Sequence, residues 1–174
     1  VISWGKKKSG GNSKAVEDEL KGGIQSIAST KRAFTALRED GFVTSWGRAD
    51  YGGKLNFSFD DVSGKIQRVF STNSAFAAID RSGRVFTWGD KNGGGDSSDV
   101  SELLSENISA IASTRSAFAA LDKDGTVIAW GDPKRGGDIS EVKNLKEGTV
   151  SHIFANKKAF AALKNDGSVV AWGD

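Results

Sequence analysis

"AFAALDKDGTVIAWGDPKRGGD", residues 117–138, joins an apolar run, a turn signal, a second apolar run ending in Trp-Gly, and a double glycine. Ala117-Phe-Ala-Ala-Leu121 and Thr126-Val-Ile-Ala-Trp130 have strand length, and the second is rich in the β-branched and aromatic residues that pack well on a pleated surface. Between them Lys123-Asp-Gly supplies a residue able to adopt positive φ, which a tight hairpin turn requires. Ile108-Ser-Ala-Ile-Ala-Ser, just upstream, reads as a third short strand. The expected local structure is an antiparallel three-strand meander.

Outside this stretch the pattern recurs with a step of 42 residues. Trp-Gly begins at Trp4, Trp46, Trp88, Trp130 and Trp172, and the same step links Phe34, Phe76, Phe118 and Phe160. It also links the turn glycines Gly41, Gly83, Gly125 and Gly167, and the pairs beginning at Gly10, Gly52, Gly94 and Gly136. Self-similarity at such a period marks a propeller or solenoid, in which each unit buries an apolar face against its neighbours. The chain reads as one repeat domain over 1–174, with units at 1–41, 42–83, 84–125 and 126–167 and a terminal Trp-Gly strand at 168–174. The in-phase aromatics are expected to be packing residues: each one buried hides roughly 150–250 Å², worth about 4–6 kcal/mol before entropy is counted.

After three of the four double glycines, Val16 with Leu20, Val100 with Leu104 and Val142 with Leu145 stand at helical spacing. Serines precede the second of these, so a helix of about two turns is expected in the linkers, held by packing because it is too short to stand alone. The second unit departs from this: Lys54-Leu-Asn-Phe57-Ser-Phe59 alternates like a strand. Tyr51, Phe57 and Phe59 are the residue types that anchor interfaces, so this diverged unit is a candidate contact region.

Composition narrows the function classes. The 174 residues contain 22 Gly, one Pro, no Cys and no Met, which suits many tight turns and excludes a disulfide framework or thiol chemistry. A chain starting at Val1 without Met reads as a processed form or a segment of something longer, soluble or peripheral, with its compartment open. A formal charge of +2 does not argue for nucleic acid. No catalytic constellation emerges. His152 is the one histidine and reads as the end of a strand, and Asp122-Lys-Asp124-Gly125 reads as a hairpin turn because the glutamate of a calcium loop is missing. The double glycines are not placed in the order strand, glycine loop, then lysine at a helix start that a phosphate loop needs. Neither a metal nor any other cofactor is expected.

The wording "AFAALDKDGTVIAWGD" resembles the regulator of chromosome condensation repeat: an Ala-Leu strand, an Asp-Gly turn and a Val-x-x-Trp-Gly strand, in all four units. The linkers differ from the family's usual wording and the units are shorter. The resemblance implies an all-β fold with short helices: a tandem-repeat, β-propeller-like array of four three-stranded antiparallel units plus one extra N-terminal strand at Val1 to Gly5, open or incomplete. It also implies binding through loops. Guanine-nucleotide exchange, chromatin binding, ubiquitin-ligase accessory roles and β-lactamase inhibition occur in the family. Arrays of this short wording in algal proteins add an organellar setting, such as a photosynthetic complex.

In a three-strand meander the first hairpin turns and the post-Trp loops share one end. That end collects Lys6, Lys7, Lys8, Lys31, Arg32, Arg48, Lys54, Lys91, Arg115, Lys134, Arg135, Lys157 and Lys158 against fewer aspartates. The reading is a non-catalytic protein-binding scaffold, an accessory subunit whose basic loop end meets an acidic protein, with Lys6, Lys7, Lys8, Arg48, Tyr51, Phe57, Phe59, Lys134 and Arg135 as candidate contacts. No direct nucleic acid contact is expected, and membrane association only through partners. A carbohydrate- or anion-binding propeller using the glycine loops is the alternative, and an exchange or ubiquitin-ligase accessory domain the second.

Overall fold

Alternation along Ala117 to Leu121 sends Ala117, Ala119 and Leu121 to one face of a strand and Phe118 and Ala120 to the other, and both faces are buried. A strand covered on both sides must lie in a sheet stacked between others, which is why it reads as a continuous apolar run. The computed structural model, which describes residues 1–58, 65–145 and 148–174, shows that stack. Its strands are β1 Ile24–Ser29, β2 Ala33–Arg38, β3 Val43–Gly47, β4 Ile66–Ser71, β5 Ala75–Asp80, β6 Val85–Gly89, β7 Ile108–Ser113, β8 Ala117–Asp122, β9 Val127–Gly131, β10 Val150–Ala155, β11 Ala159–Lys164 and β12 Val169–Gly173. They form four three-stranded antiparallel sheets, each a meander of consecutive strands.

Three apolar joints hold the sheets together. In the middle one, Ala75, Ala77, Ile79 and Val85 of the second sheet meet Ile108, Ile111, Phe118, Ile128 and Trp130 of the third sheet and Leu104 of the linker before it. The joints on either side use the equivalent positions: Leu37 and Val43 against Ile66, Phe76 and Trp88, then Leu121 and Val127 against Val150, Phe160 and Trp172. Every sheet thus has a forward face of Ala, Leu or Ile and Val, and a backward face carrying the Phe-Trp pair.

The register explains that pair. Phe118 stands opposite Trp130 across β8 and β9, and the rings stack with centroids 5.3 Å apart. The Trp130 indole N–H donates to Gly94 O at 3.0 Å, so the polar end of the ring is satisfied. Gly94 has φ +93°, and a Cβ there would lie 2.6 Å from the Phe118 ring. The first glycine of each pair is therefore required by the aromatic core. The second is required by the preceding Trp-Gly: a Cβ on Gly95 would fall 2.6 Å from the Gly89 carbonyl.

Three expectations change. The linker helices are short 3-10 turns, Lys14–Val16, Asp18–Leu20 and Ser98–Val100, because two turns of helix cannot nucleate without more packing than one buried leucine supplies. The segment Lys54 to Ser58 is not a strand either; Leu55 and Phe57 pack into the first joint, with the Phe57 ring 5.1 Å from Phe86 and 5.6 Å from Trp88. Finally, Val1 to Gly5 is not a strand, and Trp4 is 84% exposed, because the described residues hold no first and second strand for it to pair with. The repeat boundaries at 41/42, 83/84 and 125/126 fall in the turns between second and third strands, so each sheet draws its last strand from the following repeat.

Candidate functional site

Thr72 shows how the loops at one end are tied. Its hydroxyl donates to Gly93 O at 2.9 Å and accepts from Ala75 N–H at 3.0 Å, which clamps the first hairpin turn of its sheet to the 3-10 turn after β6. Thr30 does the same with Tyr51 O, and Thr114 with Arg135 O. The first hairpin turns and the post-Trp linkers therefore lie at one end.

The tips of those hairpin turns are laced from sheet to sheet. Lys31 N–H donates to Asn73 O at 2.9 Å, Asn73 N–H to Arg115 O at 2.9 Å, and Arg115 N–H to Lys157 O at 3.1 Å. Backbone bonds of this kind fix the four tips on one arc. Three of the four positions are cationic, and among the described residues no carboxylate comes within ion-pair distance of Lys31, Arg115 or Lys157. A cavity of about 450 Å³ opens beside the arc, lined by Ser71, Thr72, Ser113, Thr114, Arg115 and Lys157 among others. Like charges held together without counter-charges repel, and an acidic group entering there relieves the repulsion.

The other candidate residues are spread over separate linkers. Lys6, Lys7 and Lys8 sit exposed around the 3-10 turn Lys7–Ser9. Arg48 pairs with Asp50 at 2.5 Å, which lowers the Asp50 carboxyl's pKa through the hydrogen bonds from that guanidinium. Arg32 and Arg48 each place a guanidinium over the Tyr51 ring, 5.2 and 5.3 Å from its centroid, and the half-buried ring packs against the first joint. Lys134 and Arg135 lie on the 3-10 turn Pro133–Arg135, where Arg135 and Lys158 share Asp174. Phe57 faces the first joint, and Phe59 lies outside the described residues. The arc was legible as the 42-residue series Lys31, Asn73, Arg115, Lys157, but it appears only when the series is laid over the sheet topology.

The competing chemistries find little here. Gly52, Gly94 and Gly136 donate their N–H groups to carbonyls of their own linkers, as do Gly53, Gly95 and Gly137, so the double glycines do not present a cradle of open donors to an anion. Asp122 accepts from Asp124 and Thr126 N–H groups at 2.9 and 2.8 Å within its own turn. No group of three metal-ligating side chains occurs among the described residues. His152 lies inside β10 rather than at its end, exposed beside Phe154. No helix among the described residues is long and apolar enough to cross a membrane.

Several linker aspartates link stability to pH. Asp96 is held at about 2, first by the hydrogen bond from the Lys91 ammonium at 2.9 Å and then by Ser98. Ser140 lowers Asp138, and Lys158 lowers Asp174, in the same way. A carboxylate with a depressed folded pKa stabilises the fold above its unfolded value of about 4 and loses that contribution as pH falls further. The urea midpoint is therefore expected to drop between about pH 4 and 2, and Asp96→Asn to flatten that acid limb, read by circular dichroism.

No family model matches the sequence, and no curated protein does. Solved structures do match. Prp20p from Saccharomyces cerevisiae, described with its binding properties to Gsp1p and histones, is 21% identical over 86% of this chain and 43% of its own, with a TM-score of 0.58. Yeast RCC1 (Prp20) bound to Kap60 is 23% identical over 90% of this chain and 44% of its own, with a TM-score of 0.61. The CRINKLY WD40 ectodomain of the Arabidopsis thaliana receptor kinase ACR4 is 20% identical over 87% and 51%, with a TM-score of 0.57. The chain thus spans about half the length of the propellers it matches. Stacked three-stranded meanders, the in-phase Phe-Trp pairs and these superpositions together make its fold that of an RCC1-like β-propeller repeat.

Proposed function

We propose that the chain is a non-catalytic, protein-binding scaffold, an accessory subunit that receives an acidic surface of a partner protein on its arc of hairpin-turn tips. The observation that carries this reading is the lacing of Lys31, Asn73, Arg115 and Lys157 by backbone hydrogen bonds, which sets Arg115 beside Lys157 with Lys31 one neutral position further along, none of the three within ion-pair distance of a carboxylate among the described residues. Protein binding is described for one of the similar propellers, yeast Prp20 (RCC1), with Gsp1p and histones in one structure and Kap60 in another, which favours a protein as the occupant. The arc acts by steering and register, so its contribution is strongest at low ionic strength and fades as the Debye length shrinks to about 8 Å at physiological salt.

Affinity capture on the native protein tests this. The triple variant Lys31→Glu, Arg115→Glu, Lys157→Glu is expected to lose acidic companion subunits that the wild type retains in low salt. The variant Lys6→Glu, Lys7→Glu, Lys8→Glu, on a post-Trp linker rather than on the laced turn tips, is expected to lose fewer. Equal retention by the arc variant and the wild type would sink the proposal.

A further inference from the structure

The cations of the arc share a recess that holds no acid. Ser29, Ser71 and Ser113, the last residues of β1, β4 and β7, line the cavity of about 450 Å³ beside the turn tips, and the tips themselves add Asn73, Arg115 and Lys157. No carboxylate is among the lining residues. Side chains from successive units thus converge on one opening.

Part of that lining already has partners. Thr72 and Thr114 use their hydroxyls to hold the linkers, and Ser113 Oγ donates to Ser71 O at 2.9 Å. The rest is open: among the described residues the Arg115 guanidinium, the Lys157 ammonium, the Asn73 carboxamide and the Ser71 hydroxyl have no hydrogen-bond partner. These groups start from neighbouring backbone positions, because Asn73 N–H donates to Arg115 O at 2.9 Å and Arg115 N–H to Lys157 O at 3.1 Å. A guanidinium, an ammonium, a carboxamide and a hydroxyl side by side are a surplus of donors over acceptors, with two permanent positive charges among them.

We propose that this recess is a phosphate-monoester site, which takes a phosphorylated serine or threonine side chain of the protein partner. The inference rests on the reading of the arc as a docking surface for an acidic protein and adds the group that enters it. A carboxylate brings a single charge and is satisfied by the Arg115 fork alone, which leaves the Lys157 ammonium uncompensated. A phosphoryl group carries about −1.5 to −2 near neutral pH and has a further acceptor oxygen, so it matches both cations and still accepts from a hydroxyl or an amide. The backbone lacing holds the tips in place beforehand, so binding has little main-chain ordering to oppose it.

The lining favours a phosphate borne by a protein over one borne by a lipid or a nucleotide. Seating on a bilayer needs apolar side chains beside the charges, whereas the tips read Lys31-Arg32, Asn73-Ser74, Arg115-Ser116 and Lys157-Lys158. A nucleobase needs an aromatic face to stack on, and no aromatic residue lines the cavity.

Fluorescence anisotropy with labelled peptides of one sequence, glutamates flanking a central phosphoserine, glutamate or serine, tests this on the intact chain. At physiological ionic strength the wild type is expected to bind the phosphoserine peptide about tenfold more tightly than the glutamate peptide. Arg115→Gln is expected to abolish that preference and Lys157→Gln to reduce it. Lys123→Gln removes the same charge from an exposed turn at the other end of the third sheet and leaves the preference intact, which separates the site from net charge. Arg115 is exposed, so an unchanged thermal melt of its variant shows that folding is intact. Equal wild-type affinity for the phosphoserine and glutamate peptides overturns the phosphate site and leaves the acidic docking surface standing, whereas binding of none of the peptides even in low salt overturns both. A preference that survives Arg115→Gln overturns the inference as well. So does Arg115-dependent binding to phosphatidylcholine vesicles bearing a phosphoinositide that exceeds binding to the phosphoserine peptide.

Discussion

Replacing Trp88 with alanine is expected to cost about 3–5 kcal/mol of stability, while the same change at Trp4 costs nearly nothing. Both residues stand in the same Trp-Gly wording, 84 positions apart. Trp88 is fully buried, stacks on Phe76 with centroids 5.3 Å apart and donates its indole N–H to Gly52 O at 3.1 Å. Its loss opens a cavity beside Phe57 and Phe86, strips Phe76 of its stacking partner and leaves the Gly52 carbonyl buried without its donor. Trp4 makes no ring contact among the described residues. Urea unfolding followed by circular dichroism rather than indole fluorescence compares the two variants without changing the probe. A Trp4→Ala loss comparable to that of Trp88→Ala would show that the N-terminal Trp-Gly segment packs as the others do.

That contrast also marks how far the sequence reaches. Strand positions were legible because the Ala-rich run, the Asp-Gly turn and the Trp-Gly strand each follow from local rules, and β8 and β9 lie within a residue of where those rules put them. The stacking was legible because self-similarity at 42 residues marks units that each bury an apolar face against their neighbours. What failed was non-local. Helical spacing at Val100 and Leu104 looked like a short helix, yet a buried Leu104 with a half-buried Val100 selects only the 3-10 turn Ser98–Val100. Phe57 looked like an exposed anchor because its alternation with Phe59 gave no hint that the side chain fills the first joint. The basic end was legible as a sum of charges, but the arc within it depends on backbone bonds between turns 42 residues apart, which no local pattern encodes.

Gly83→Ala is expected to destabilise the chain by about 2–5 kcal/mol, and Gly167→Ala by only about 1–2 kcal/mol. The two glycines occupy the same place in the same hairpin turn, with φ +88° and +83°, so the backbone strain of adding a Cβ is shared. They differ in what the Cβ meets. At Gly83 it would lie 2.7 Å from the Asn107 and Ile108 nitrogens, which are backbone atoms and cannot rotate aside. Relief requires the third unit to move, and that motion breaks the Ile108 N–H bond to Gly83 O and loosens the cluster around Ile79, Val85 and Leu104. At Gly167 nothing lies within 4 Å of the added Cβ. Unfolding midpoints therefore isolate the joint: the difference between the two variants is the cost of wedging one unit from the next. Equal losses would mean that the turn's own strain dominates and that the stacked sheets yield to each other easily, which the unbroken lacing from Lys31 to Lys157 argues against.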